Sequence, residues 1–194
     1  MFSSRQRLKK RTKANDLNRF DYLQKLVSEY QEKDANRTKH NESDRMQVLA
    51  NLANFSYDPI NFQYLRQLRV IELFIDCIDE DEDLSGETVQ FGIGGLCNLA
   101  ADAINRHCIM QNQSVIASIN RCLLSTTEQT VLSALTTLIL LATPNYIQQI
   151  NSPPCVSTAR TLVTSSNARV RNLACLLLKD YCNDDVSANI HTSQ

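Results

Sequence analysis

One helical pattern occurs four times along this chain and constrains its fold more than any other feature. Each copy places apolar residues three and four positions apart, which is the spacing of one face of an α-helix. The copies are Met46–Ser56, Glu87–Ala101, Gln129–Ala142 and Ala168–Cys182. Neighbouring copies are 39 to 47 residues apart when their matching leucines are aligned. Helical repeats of about 40 residues predict an α-solenoid, in which each repeat packs against the next.

Two further helical segments precede the repeated helix, and they recur in the same order. Asn61–Arg69 is followed by Val70–Ile78, and the same pair returns as Asn105–Gln113 followed by Val115–Leu124. Both first segments place an asparagine four residues before a leucine or isoleucine. Both second segments begin with valine-isoleucine and carry a cysteine. The sequence therefore predicts a three-helix unit that repeats in helix order.

A separate helix is predicted before the first repeat. Phe20–Lys33 has apolar residues at helical spacing, and Asp16 or Asn18 is suited to cap its N-terminus. The polar stretch Asp34–Asp44 has no periodicity, so it is predicted to be a loop. The apolar end of a repeat stack needs a cover, and we expect Phe20–Lys33 to provide one at the N-terminal end.

The charge of the chain is unevenly distributed. The whole chain has a net charge of −1, but residues 1–19 carry +6 and the remainder carries −7. This first segment is nearly free of apolar residues, so it is predicted to be a disordered tail. Its basic side chains suit either nuclear targeting or contact with RNA phosphates, and a purely solubilising role stays open. The basic side chains concerned are those of Arg5, Arg7, Lys9, Lys10, Arg11 and Lys13.

Several protein classes are disfavoured by what the sequence lacks. No run of about 18 apolar residues is present and no apolar segment follows the N-terminal charges, so neither a membrane span nor a secretory signal is predicted. The seven cysteines form no C-x-x-C pair, and most lie in apolar helical runs. This favours buried, reduced thiols in an intracellular protein. Residues 183–194 are polar and are predicted to be a frayed C-terminal end.

Three local patterns suggest chemistry, and none of them is complete. His107-Cys108 is the only adjacent His/Cys pair, and it lacks the further ligands of a zinc site and the partners of a thiol nucleophile. The acidic run at 79–83 lacks the ligand spacing and the glycine of a calcium loop. Phe91–Gly95, FGIGG, lacks the preceding strand and the third glycine of a nucleotide loop, so its glycines are expected to let helices approach closely. No metal, cofactor or enzyme activity is predicted.

The order of the helices resembles the armadillo repeat. The resemblance rests on the asparagine-led first helix, the valine-isoleucine-led second helix and the long third helix that ends in Asn-Leu-Ala. It covers Met46–Cys182 and implies an all-α, right-handed α-solenoid of about three and a half repeats, within a domain at residues 20–182. The segments DYLQKLVSEYQE, FGIGGLCNL, TVLSALTTL and RVRNLA resemble, more closely, armadillo proteins that accompany the minor spliceosome.

This closer resemblance implies a function in the nucleus. It implies a non-catalytic scaffold that supports minor-class pre-mRNA splicing by holding an RNA-recognition-motif protein similar to RNA-binding motif protein 48. Other minor-spliceosome components are further implied partners. A cytoplasmic armadillo adaptor that binds peptides in signalling or trafficking is the alternative.

In armadillo proteins the third helices line a groove, and an asparagine on each holds the backbone of an extended peptide. One side-chain amide offers both a donor and an acceptor, so it can satisfy both groups of a bound backbone. The matching positions here are Asn51 and Asn98. The third copy has Thr137 and the fourth has Leu176, so the series of asparagines is incomplete.

The tryptophans of importin-type grooves are missing, because Gln47 and Gly94 stand four residues before the two asparagines. Recognition of import signals in that manner is therefore not expected. The groove is instead expected to accept one folded or extended protein. The alternative, that Asn51 and Asn98 only cap or bridge neighbouring helices, stays open. The candidate partner contacts are Gln47, Asn51, Asn54, Gln90, Asn98, Ser133, Thr137, Arg169 and Asn172.

Overall fold

A computed structural model describes residues 18–36, 38, 41–79 and 83–182 of the chain. Helix α1 (Arg19–Ala35) begins after Asn18, whose Oδ1 accepts a hydrogen bond from the Asp21 amide at 3.0 Å. Of the two caps that the sequence suggested, Asp16 and Asn18, the structure shows Asn18. Most of the predicted basic tail and the predicted frayed end at 183–194 lie outside the described residues.

The described part of the chain consists of a two-helix start followed by three units, each with three α-helices. The start consists of α1 and α2 (Glu42–Phe55). The first unit contains a 3-10 turn (Pro59–Asn61), α3 (Phe62–Gln67), α4 (Val70–Asp79) and α5 (Glu87–Leu99). The second unit contains α6 (Ala103–Met110), α7 (Val115–Cys122) and α8 (Glu128–Leu141). The third unit contains α9 (Ile147–Ile150), α10 (Pro153–Leu162) and α11 (Ala168–Leu176), which continues as a π-helix (Leu177–Tyr181).

Helices of the same order stack on one another along the chain. Among the third helices, α5 packs between α2 and α8, and α8 packs against α11. Among the second helices, α7 packs between α4 and α10. Each of the first three third helices buries a pair of leucines three residues apart, namely Leu49 and Leu52, Leu96 and Leu99, and Leu135 and Leu138. The predicted all-α solenoid of armadillo type is confirmed.

The asparagine that opens each of the first two units closes the helix before it. Asn61 donates from Nδ2 to the carbonyl oxygen of Phe55 at 2.8 Å, and Asn105 donates in the same way to Leu99 at 2.9 Å. Each of these carbonyls also accepts a backbone N–H, from Asp58 at 3.4 Å and from Asp102 at 3.1 Å, so the asparagine adds a second hydrogen bond at the end of the helix. The asparagine recurs because it joins one third helix to the next unit.

Two of the three glycines in α5 allow the close contact between α5 and α4. A Cβ atom at Gly92 would lie 2.7 Å from Cβ of Cys77, and one at Gly95 would overlap the ring of Phe74. The prediction that these glycines let helices approach closely is confirmed for both. It is wrong for Gly94, where, apart from the adjoining backbone of α5, no atom of the described residues lies within 4 Å of an added Cβ.

A buried arginine joins the two-helix start to the first unit. Arg45 on α2 is 2% exposed and pairs with Asp34 at 2.9 Å and Glu42 at 2.7 Å. It also donates to Tyr30 Oη at 3.3 Å and to Thr88 Oγ1 at 3.4 Å. These partners lie on α1, α2 and α5, so one side chain fixes the positions of three helices.

Candidate functional site

The outward sides of α2, α5, α8 and α11 form the surface that we call the third-helix face. The structure places seven of the nine predicted contacts on it with at least part of the side chain accessible. Four of these are exposed and three are half-buried. The exposed ones are Gln47, Asn54, Arg169 and Asn172, and the half-buried ones are Asn51, Gln90 and Asn98.

Two predicted contacts are not accessible, and their assignment is corrected. Ser133 and Thr137 are buried, and Thr137 Oγ1 donates to the Ser133 carbonyl at 2.7 Å. The reason is that α8 is packed between α5 and α11, which encloses this side of the helix. The half-buried side chains of α8 are instead Thr136, Ile139 and Leu140.

The two groove asparagines have different surroundings. Asn98 donates from Nδ2 to the Ala53 carbonyl at 3.1 Å and to Ser56 Oγ at 3.5 Å, so it bridges α5 to the end of α2. This is the structural alternative that the sequence left open. Asn51 accepts a hydrogen bond from Gln47 at 3.3 Å, and no described residue accepts from its Nδ2. Asn51 therefore has a side-chain donor that an external group can use.

The centre of the third-helix face on α5 is a glycine. Gly94 lies one turn from Gln90 and Phe91 on one side and from Cys97 and Asn98 on the other, and all four of these side chains are half-buried. We call these five residues the Gly94 patch. Sequence reasoning grouped Gly94 with its neighbours, because the letters FGIGG do not show which glycines face inward. The sequence does not give the rotation of α5 about its own axis relative to Phe74, and this rotation decides which glycines face inward.

The only adjacent histidine and cysteine do not act together. The His107 ring bonds through Nδ1 to Tyr146 Oη at 2.8 Å and through Nε2 to the Gln111 side chain at 3.3 Å. Both ring nitrogens are thus engaged by groups other than the Cys108 thiol. His107 is therefore not positioned as a base for Cys108.

The buried cysteines are also poor nucleophiles. Burial raises the pKa of the Cys77, Cys122 and Cys155 thiols to about 12, so they stay protonated at neutral pH. In the described part of the chain, no cluster of three or more His, Cys, Asp or Glu side chains could hold a metal ion. Within the same ranges, no helix has both the length and the apolar character needed to cross a membrane.

Two cavities open beside the second helices, away from the third-helix face. One of about 440 Å³ lies between α1 and α4, and one of about 650 Å³ lies between α7 and α10. Neither is lined by a predicted partner contact. The lining of the first includes Tyr30, Asp34, Glu72, Asp76 and Cys77. The lining of the second includes Ile116, Asn120, Arg121, Pro154 and Cys155.

The comparison with known proteins agrees with this architecture. No protein-family model matches the chain. Armadillo repeat-containing protein 7 of Mus musculus is 42% identical over 178 residues, which cover 91% of this chain and 85% of the mouse protein. The chain belongs to the armadillo repeat-containing protein 7 family.

Proposed function

We propose that this chain is a non-catalytic, protein-binding scaffold of the minor spliceosome. In this role it holds an RNA-recognition-motif protein similar to RNA-binding motif protein 48 in the nucleus and thereby supports minor-class pre-mRNA splicing. The resemblance of its segments to minor-spliceosome armadillo proteins supports the choice of partner. Its membership of an armadillo family favours a scaffold over an enzyme.

The single observation that carries the binding role is the outward position of Gly94. A glycine inside a helix destabilises it by about 0.5–1 kcal/mol relative to alanine. At Gly92 and Gly95 close packing against α4 offsets this cost, but at Gly94 no contact with another described helix does so. A glycine on a helix surface lets another chain approach the backbone closely. We therefore assign the Gly94 patch as the place where the partner touches α5.

The side chains around this place suit a polar protein contact. Asn51 has a side-chain amide donor that no described residue accepts, and Gln47 and Asn54 on the same helix are exposed. On α5, Gln90 adds a half-buried amide beside Gly94. Amide side chains both donate and accept hydrogen bonds, so they can bind the backbone of a partner whatever its local sequence.

The basic N-terminal segment adds a second proposed contact. Its positively charged side chains suit the phosphates of a spliceosomal RNA, since neutralising phosphates with Lys and Arg is the main source of sequence-independent affinity. The scaffold would then touch protein through α2 and α5 and touch RNA through residues 5–13.

The experiment that tests the proposal is purification of the tagged chain from nuclear extract, with and without RNase, followed by mass spectrometry and small-RNA sequencing. We expect recovery of an RNA-recognition-motif protein that survives RNase, together with minor-spliceosome RNAs that do not. Tagged armadillo protein of the same size that lacks this family resemblance is the control for non-specific capture. Recovery of cytoplasmic adaptors or vesicle proteins alone would contradict the proposal and favour a trafficking role.

A further inference from the structure

The cavity between α7 and α10 opens where the third unit has a short first helix. In the second unit, α6 has eight residues and packs against α4. The corresponding helix of the third unit, α9, has four residues, and α10 then begins with Pro153 and Pro154. The cavity beside α7 at this place has a volume of about 650 Å³, which is within the usual range of ligand sites.

The hydrogen bonds that join α7 to its two neighbours differ in length. Toward α4, Ser118 Oγ donates to Asp79 Oδ1 at 2.7 Å and Arg121 donates to the Asp79 carbonyl at 2.9 Å. Toward α10, Asn120 Nδ2 donates to Thr158 Oγ1 at 3.3 Å. This last distance is longer than the usual value of about 2.9–3.0 Å. The Asn120 amide is therefore held loosely, and it can turn toward the cavity that it lines.

Asn120 stands where the first unit has an isoleucine. Counted from the valine-isoleucine start of each second helix, it corresponds to Ile75 of α4, which is 2% exposed and packed in the core. Asn120 Oδ1 is buried, and no described residue donates to it. A buried oxygen without a donor destabilises a fold, whereas an isoleucine at the same place does not. The amide therefore indicates a hydrogen-bond donor that a bound molecule supplies.

The lining of the cavity indicates what kind of molecule carries this donor. Its apolar part includes Ile116 and Pro154, and its exposed amide side chains are those of Gln113 and Gln149. The described lining has no carboxylate, and its charged side chain is the cation Arg121. Apolar side chains with peptide N–H groups between them match this lining, and basic side chains do not.

We propose that this cavity, which we call the α7–α10 cleft, binds a short extended segment of a second protein partner, with apolar side chains and no Lys or Arg. One backbone N–H of the segment donates to Asn120 Oδ1, and its apolar side chains contact Ile116 and Pro154. Gln113 and Gln149 bind further backbone groups, because an amide both donates and accepts. The cleft shares no residue with the third-helix face, so the assignment does not depend on the scaffold function proposed there.

The test is selection of phage that display random eight-residue peptides on the immobilised full-length chain. Phage that also bind Ala117→Arg are discarded, because Ala117 is an exposed residue of the cleft and a long side chain there blocks it. We expect the retained peptides to be rich in apolar residues and free of Lys and Arg. Ala103→Arg on α6 is the matched control, since it adds the same side chain at an exposed position outside the cleft. The retained peptides should bind this control as they bind the wild type.

A retained peptide then tests the role of Asn120 by calorimetry. Asn120→Ile introduces the residue that α4 has at this position, and we expect it to weaken binding by about ten-fold without lowering the urea midpoint. Methylation of the peptide's backbone nitrogens, one at a time, should identify one N–H whose loss weakens binding to the wild type by about ten-fold. The same methyl group should not weaken binding to Asn120→Ile further, because the acceptor is already absent.

Three results would overturn the assignment. The first is that no peptide distinguishes the wild type from Ala117→Arg. The second is a set of retained peptides rich in Lys and Arg, which would contradict the chemistry deduced from the lining. The third is wild-type affinity in folded Asn120→Ile, or a methyl scan in which no N–H matters, which would mean that Asn120 accepts nothing from the segment. Ala117→Arg and the methylated peptides test the cleft without relying on the fold of Asn120→Ile.

Discussion

The inward and outward sides of α5 carry the same residue type under different constraints. On the inward side, Gly92 and Gly95 lie against Cys77 and Phe74 of α4 with no room for a Cβ atom. On the outward side, Gly94 has open space around it. The fold accounts for the first two glycines and leaves the third without an internal reason. From this difference we infer that a residue whose destabilising cost is not offset by packing within the fold indicates an external contact.

The largest expected effect comes from filling the inward side. Gly95→Ala places a Cβ against the buried ring of Phe74, and overpacking of this kind typically costs about 3 kcal/mol at its upper range. Urea denaturation of the variant should show a correspondingly lower midpoint. Adding Phe74→Leu should recover part of the loss, since it removes the ring that the new methyl group meets. An unchanged midpoint for Gly95→Ala would contradict the claim that the inward side of α5 has no room for a Cβ atom.

A smaller loss of stability is expected when Arg45, which donates to Thr88 of α5, is replaced. Arg45→Met keeps the apolar stem but leaves Tyr30 and Thr88 without their charged donor and removes one ion pair each from Asp34 and Glu42. Because Asp34 is 36% and Glu42 is 49% exposed, water can replace part of the interaction, and we expect a loss of about 2 kcal/mol. Gln31→Met on α1 is a control of similar size outside the network. Equal midpoints for the two variants would show that the network contributes nothing to stability.

The inward side should also lose stability in alkaline solution. Burial raises the pKa of Cys77 from 9.0 to about 12, so the folded state keeps its proton where the unfolded state releases it. The stabilisation is complete below pH 9.0 and is lost as the pH rises toward 12. Between pH 8 and pH 10 the wild type should lose about 1.4 kcal/mol more than Cys77→Ala. Parallel pH profiles for the two proteins would contradict the burial of this thiol.

The smallest effect has the opposite sign and belongs to the outward side. Gly94→Ala adds a methyl group where nothing is displaced and lowers the entropy of the unfolded chain. We expect a gain of about 0.5–1 kcal/mol in the free energy of unfolding, measured by the same urea titration. A loss of stability would mean that the fold needs Gly94. This result would contradict the assignment of Gly94 to a partner contact.

The periodicity of the sequence predicted α1, the four repeated helices and the helix pairs before α5 and α8, whereas α9 and α10 of the third unit were not predicted. Leucines three residues apart in the first three third helices indicated residues of the buried core, and Asn18 was one of the two caps visible in the sequence. The periodicity did not predict the direction in which single side chains point. Thr137 occupies the place of Asn98 in the repeat, yet it is buried because α11 closes over that side of α8.

The internal partners of the polar groups were equally hidden in the sequence. Asn61 and Asn105 were recognised as a recurring pattern, but their acceptors lie six residues upstream on the preceding helix. The donor of Asn98 is used by Ala53, which is 45 residues away along the chain. Contacts of this kind depend on the distance between stacked helices, which the apolar pattern does not specify.

The most direct test of the scaffold account is the affinity of purified RNA-binding motif protein 48 for four forms of the chain, measured by calorimetry. The forms are the wild type, Gly94→Ala, Gly94→Arg and Ala117→Arg. Gly94→Arg places a long side chain in the Gly94 patch. Ala117→Arg adds the same side chain to the exposed side of α7 and is the control. We predict that Gly94→Arg weakens binding by more than about ten-fold, or 1.4 kcal/mol, while Ala117→Arg binds like the wild type and all four remain folded. Wild-type affinity in folded Gly94→Arg would contradict the account.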